Sequence, residues 1–194
     1  MYIRLLLTAF LFFAAQNVFS QIEKYRAAKE NDNEIFIITA DSVRHTGKKL
    51  SFPKSMPSRF IKLDGVKYEC KKGGEILAYQ DKDEYAVYIP GGITFAARYY
   101  KGKINLYTYT VNVYGGSGYE STSRWILEKQ KGVYLLATPA NMEIVFADNP
   151  VVMQKCSGYI SNIRNKSAYF SSNRRKEESE FSDHIVELVE LYNK

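Results

Sequence analysis

The stretch Lys103-Ile104-Asn105-Leu106-Tyr107-Thr108-Tyr109-Thr110-Val111-Asn112-Val113-Tyr114 decides the fold. Tyr107, Tyr109, Val111 and Val113 fall on one side of an extended chain, and Leu106, Thr108, Thr110, Asn112 and Tyr114 on the other. That period of two belongs to a β-strand, because a helix would scatter the same residues around its axis. Its β-branched and aromatic residues suit a half-buried pleated surface, so one face is expected in the core. The partner is expected between Thr122 and Lys129, where Trp125 and Leu127 alternate with Arg124, Ile126 and Glu128. A glycine-rich connection from Tyr114 to Ser123 joins the two into a long hairpin.

Upstream of this hairpin, short runs rich in Ile, Val, Phe, Tyr and Thr alternate with turn residues, the signature of antiparallel strands. Strands are expected near 34–40, 43–52, 58–63, 66–71, 75–80, 84–89 and 93–100, and one more after the hairpin near 133–136. Asp64-Gly65 and Lys101-Gly102 place glycine where a tight hairpin needs a positive φ. From Ala137 the apolar period becomes helical. Thr138-Pro139 and Asn149-Pro150 put a capping side chain before a proline that is tolerated at the first helical position. A third helix is expected from Glu177 to Tyr192, with Phe181, Ile185, Leu188, Val189 and Tyr192 as its apolar stripe. The expected class is α+β: an antiparallel β-meander, strongly bent or partly closed into a barrel, followed by C-terminal helices. The expected organisation is a mobile segment over 21–33, a β body over 34–136, and a helical part over 137–194 packed on the same domain.

The first twenty residues read as a secretory leader. Met1 to Arg4 is a short charged start, Leu5 to Ala15 an apolar run, and Val18-Phe19-Ser20 a permissive site for cleavage before Gln21. A membrane span needs about 20 apolar residues, and Gln16 and Asn17 interrupt this run after Ala15. A lipid anchor would need a cysteine where Gln21 stands. The expected product is soluble and exported to the periplasm or beyond, without a membrane span. Of 27 Lys and Arg against 21 Asp and Glu, the leader removes only Arg4, so the charge falls from +6 to +5. The positive excess suits anionic lipid or polysaccharide surfaces, but the charges are dispersed and interleaved in sign, which favours a solvated surface with no charged partner, and no nucleic acid is expected.

Export gives the two cysteines a reading. Cys70 follows Val66 and Tyr68 at strand spacing, so all three are expected on one face, and Cys156 lies at helical spacing from Val152, Ile160 and Ile163. Both thiols are expected inside. A Cys70–Cys156 disulfide would close a long loop and add about 4 kcal/mol in the chain-entropy model. The alternative is two separate buried thiols acting as small hydrophobes.

Catalytic motifs are poorly represented. Gly115-Gly116-Ser117-Gly118 is followed by strand-like residues and no Gly-Lys-Ser/Thr, so it reads as a hairpin tip instead of a phosphate loop. Ser51-Phe52-Pro53-Lys54 has Ser-x-x-Lys spacing, but Pro53 and the strand before it oppose the helix turn that pairing requires. His45 sits among turn and strand residues, and His184 lies one turn from Phe181 and Leu188, in a packing position at the helix edge. Asp81, Asp83 and Glu84 form an acidic hairpin turn that lacks the remaining ligands of a calcium loop. No metal and no cofactor is expected. Arg174-Arg175-Lys176 borders the acidic start of the last helix. Of the 16 tyrosines, Tyr99, Tyr107, Tyr109, Tyr114 and Tyr119 gather around the long hairpin. They form a candidate aromatic surface for a glycan or protein, since tyrosine couples an apolar face to a polar tip.

The leader ending Phe19-Ser20-Gln21, the strand from Lys103 to Tyr109, the Asn149-Pro150 helix entry and the terminal Leu188-Val189-Glu190-Leu191-Tyr192-Asn193 together resemble small exported proteins of Bacteroidota. The resemblance implies an envelope location and a β body with C-terminal helices, and it transfers no catalytic residue. The expected function is a non-enzymatic binding or interaction module for an envelope glycan or protein. The alternatives are a hydrolase of envelope polymers with dispersed catalytic residues, or a carrier of small apolar ligands.

Overall fold

The computed structural model describes residues 28–30, 33–52, 60–70, 75–89, 95–115, 118–167 and 174–194. The leader, its Ser20–Gln21 cleavage point and Lys54 lie outside them. The chain divides into two compact units, the first ending at Tyr100 and the second running from Lys101 to Lys194. This division falls before the long hairpin. The hairpin keeps company with the helices.

In the first unit the strands are β1 (Ile35–Thr39), β2 (Arg44–Gly47), β3 (Leu50–Ser51), β4 (Phe60–Leu63), β5 (Val66–Glu69), β6 (Ile76–Gln80), β7 (Tyr85–Tyr88) and β8 (Phe95–Tyr100). Five form an antiparallel sheet in the order β2-β1-β6-β7-β8, and β3-β4-β5 form a second. The expected strand over 43–52 is thus two strands in two sheets, bent at Lys48-Lys49. The bend has a visible cause: the amides of Lys48 and Lys49 both donate to the Asp64 carboxylate, at 3.0 and 2.8 Å. Asp64 and Gly65, both with positive φ, make the two-residue turn that sets Leu63 opposite Val66. Gly47 lets that turn approach, since a Cβ there would lie 2.6 Å from Leu63 Cδ1. Ile37, Ile61, Leu63, Cys70, Ile76, Tyr79 and Ala86, drawn from both sheets, make one core. Each fully buried aliphatic side chain contributes about 1.5–3 kcal/mol.

Residues 28–30, expected in a mobile segment, are docked. Ala28 and Lys29 are buried, the Lys29 ammonium donates to the Lys82 carbonyl, and the Glu30 amide donates to buried Gln80. Arg98, 2 % exposed, donates through Nε to the Ala28 carbonyl at 2.5 Å and through Nη1 to Glu30 at 2.6 Å, with its guanidinium 4.1 Å from the Tyr85 ring centroid. Polar composition hid this strap because its charged groups find partners inside the unit.

The second unit holds β9 (Asn105–Gly115), β10 (Gly118–Glu128) and β11 (Leu135–Leu136), then α1 (Pro139–Phe146), α2 (Pro150–Ser167) and α3 (Arg174–Asn193). β9 and β10 pair without a slip from Gly115–Gly118 to Asn105–Glu128, as the expected long hairpin requires. Both proline-entry helices are capped as expected: Thr138 accepts from the Asn141 amide and Asn149 from the Val152 amide. Met142 and Phe146, then Val152, Cys156 and Ile160, then Ile185, Leu188 and Val189 are the buried helical faces. At its first turn β9 is buried on both faces, Leu106 on one and Tyr107 on the other, where a single core face was expected. Positive φ falls on Gly65 and Gly132 and not on Gly102. Gly102 serves close approach instead, for a Cβ there would lie 2.5 Å from Asn193 Oδ1. Asn193 accepts from the Ile104 amide and donates to the Ile104 carbonyl, which ties the end of α3 to the entry of β9.

The class is α+β, an antiparallel meander followed by helices. Among the described residues the sheet is not closed into a barrel, and β2, at the edge of the first unit's sheet, pairs with β1 alone. Among the described residues no helix is long and apolar enough to cross a membrane.

Candidate functional site

The chain leaving β1 turns sharply before β2. Ser42 adopts φ 65°, its amide donates to the Thr39 carbonyl, and the Thr39 amide donates to the Val43 carbonyl. Asp41 holds this turn from the side: its Oδ1 accepts the Thr39 hydroxyl at 2.6 Å and the Val43 amide at 3.3 Å. Those two donors, the hydroxyl first, hold its carboxyl below the usual carboxylate range. Facing the turn, Glu75 bridges the end of β5, its carboxylate accepting from the Glu69 amide and its own amide donating to the Glu69 carbonyl. The Ala40 amide donates to the Glu75 carbonyl at 2.7 Å. The β1–β2 turn and the end of β5 are thereby fastened to Glu75 around one opening.

The opening is a solvent-facing cleft of about 460 Å³ lined by Thr39, Ala40, Asp41, His45, Lys67, Tyr68 and Glu75, within the roughly 300–1,000 Å³ of small-ligand sites. His45 and Tyr68 form an aromatic wall, their ring centroids 5.5 Å apart and their planes tilted by 49°. The Lys67 ammonium stands 3.7 Å from Glu69, both side chains partly in water. Among the described residues, no hydrogen bond engages the His45 ring or the Tyr68 hydroxyl. The arrangement offers donors, acceptors and a ring face. It offers no activated nucleophile: the Thr39 hydroxyl is buried and committed to Asp41 and to the Val43 carbonyl, and His45 orients no partner. A triad needs a base hydrogen-bonded to its nucleophile and to an orienting acid.

The residues singled out in the sequence do not assemble into one site. Tyr107 is 2 % exposed, and its hydroxyl donates to buried Glu128 at 2.6 Å. It is a core residue and leaves the proposed aromatic surface, because the hydroxyl meets a carboxylate that also accepts from Asn105 and from the Gly132 amide. Tyr99 and Tyr109 are half-buried in β8 and β9. Tyr114 and Tyr119 pair across β9 and β10, and their side chains lie outside the described residues. Cys70 and Cys156 are free buried thiols in this structure, one in each unit. Burial pushes both thiols up to about 11. Val66, expected to face inward with Tyr68 and Cys70, is 58 % exposed, because a turn as tight as Asp64-Gly65 leaves its last flanking residue in solvent.

His184 stacks flat on Tyr159, centroids 3.7 Å apart, so it packs at the helix edge. The Tyr159 hydroxyl donates to Glu187, which also accepts from Lys155 and is held below the usual carboxylate range by these two donors, the ammonium first. Ser51 ends a strand. The acidic turn is self-satisfied: Asp81 accepts the amides of Asp83 and Glu84, and Glu84 accepts the Tyr79 hydroxyl at 2.5 Å. Among the described residues no group of three His, Cys, Asp or Glu is placed to hold a metal. Arg174, Arg175 and Lys176 begin α3, and their side chains lie outside the described residues.

Of the cleft residues, sequence reasoning reached only His45. Asp41 comes from the β1–β2 turn, Lys67 and Tyr68 from β5 in the second sheet, and Glu75 from the entry of β6, and the bonds of Glu75 to Ala40 and to Glu69 gather them. Asp41-Ser42 between two strands was the one local signal available. Comparison with protein-family models, with curated proteins and with solved structures found no match, so the site is read from its own chemistry.

Proposed function

We propose that this chain is an exported, non-enzymatic binding module that holds a polar cell-envelope partner at the cleft between Asp41 and Glu75. One observation carries the reading: Asp41, His45, Lys67, Tyr68 and Glu75 converge on an open cleft in which, among the described residues, the one hydroxyl seen bonded to a carboxylate, that of Thr39 on Asp41, is buried and also held by the Val43 carbonyl. Such a set binds by hydrogen bonds and ring contact without bond-breaking. Export and an envelope location rest on the leader over Met1 to Ser20 and on the resemblance to small exported proteins of Bacteroidota. The open sheet gives no support to the apolar-carrier alternative, which needs an enclosed apolar cavity.

The test incubates the mature chain with insoluble envelope polysaccharide and follows both retention and released fragments. Retention that is saturable, lost in Tyr68→Ala, and accompanied by no new fragments supports binding. Fragment release that disappears in His45→Ala establishes the hydrolase instead. Absence of retention on every envelope fraction refutes the module.

A further inference from the structure

We infer that the cleft ligand is a glycan bearing free amino groups, a deacetylated hexosamine segment, in preference to a neutral or acidic one; this rests on the binding-module reading. The argument starts from a mismatch of sign. The whole chain carries +6, yet among the described residues the cleft wall presents Asp41 and Glu75 against Lys67, and Lys67 already lies 3.7 Å from a third carboxylate, Glu69. The carboxylates and the ammonium of the described lining residues sum to a negative charge on a basic protein. A local field opposed to the global one selects a cationic group and repels an anion.

The carboxylates are also placed to be used. Asp41 spends Oδ1 on the Thr39 hydroxyl and the Val43 amide, and Glu75 spends Oε2 on the Glu69 amide. In each case the second oxygen makes no hydrogen bond within the described residues. Internal donors thus fix each carboxylate and leave one acceptor for a ligand. An ammonium on such an oxygen makes a charge-assisted bond, about twice as strong as a neutral one.

The other cleft groups suit a sugar. The Tyr68 ring, tilted against His45, is an apolar plate with a polar tip, and the phenol and imidazole are free to meet hydroxyls. The opening to solvent admits an internal segment of a polymer as readily as an end.

The experiment is calorimetry on the mature chain at low salt with four probes: a glucosamine tetramer, its fully N-acetylated form, a galacturonate tetramer, and pentalysine. The glucosamine tetramer is expected to bind most tightly. Asp41→Asn and Glu75→Gln, which keep the internal hydrogen bonds, should each weaken it by about tenfold, and added salt should weaken it further. Unchanged melting temperatures confirm that both variants are folded. Equal or tighter binding of the acetylated or galacturonate tetramer overturns the inference while leaving the binding module intact. Tighter pentalysine binding overturns it in favour of a basic peptide. No binding of any probe also overturns it, and retention on envelope polysaccharide then decides separately whether the module survives.

Discussion

Glu30→Ala should loosen the first unit through Arg98, a residue it reaches across 68 positions of sequence. The Arg98 guanidinium is 2 % exposed, and Nη2 makes no hydrogen bond to the protein. Its charge is therefore balanced by Glu30 at 2.6 Å, the Ala28 carbonyl at 2.5 Å and the Tyr85 ring face. Removing one partner of a buried ion pair costs about 3–5 kcal/mol when the remaining charge is sealed in. Here the Glu30 side chain is 38 % exposed, so water can enter where it stood, and the cost falls to about 2 kcal/mol. For a chain of this size that lowers the melting temperature by about 4–8 °C. The assay is urea unfolding of four proteins: wild type, Glu30→Ala, Arg98→Met and the double variant. Once the guanidinium is gone, loss of Glu30 should cost less than in its presence, and the cycle should show a coupling of about 1.5–2 kcal/mol. Amide exchange should report the same event locally, since the Glu30 amide donates to Gln80 and should lose protection first. An equal cost of Glu30→Ala with and without Arg98 would refute the account of the strap.

Gly102→Ala should destabilise by about 1–3 kcal/mol, because its Cβ meets Asn193 Oδ1 and breaks the clamp on Ile104, whereas Gly158→Ala, with open space around it in α2, should stabilise by about 0.5–1 kcal/mol; thermal unfolding reads both. Cys70 and Cys156 should resist a thiol reagent at pH 8 in the folded protein, with burial holding each near 11, and both should label fully in denaturant, while intact mass should show no loss of two hydrogens. Burial raises the Glu84 carboxyl against the opposing pull of the Tyr79 hydroxyl, so its contribution is present at low pH and is lost as pH rises through the folded value. Glu84→Gln should accordingly gain stability relative to the wild type between pH 4 and pH 7, measured by urea unfolding at both.

The fold was largely legible because its signals are local. Alternation at Tyr107, Tyr109 and Val111 located β9, and Thr138-Pro139 and Asn149-Pro150 located two helix entries through their caps. What escaped depends on contacts distant in sequence. The bend at Lys48-Lys49 is imposed by the Asp64 carboxylate, sixteen residues on. The strap over 28–30 is polar in composition and is fixed by Arg98 and Gln80. Tyr107 carries the same period-two signal as Tyr109, and only the position of Glu128 on the neighbouring strand makes it a core residue. The cleft was the least legible feature, since Asp41, Tyr68 and Glu75 each resemble an ordinary turn or strand residue until Glu75 is bonded to both Ala40 and Glu69.

The most direct test of the binding reading is amide-shift mapping of the isotope-labelled mature chain titrated with soluble fragments of envelope polysaccharide. Saturable shifts at Ala40, Asp41, His45, Lys67, Tyr68 and Glu75, with the fragments chemically unchanged, are the predicted result. Shifts that leave those six residues untouched, or fragments that shorten during the titration, would contradict it.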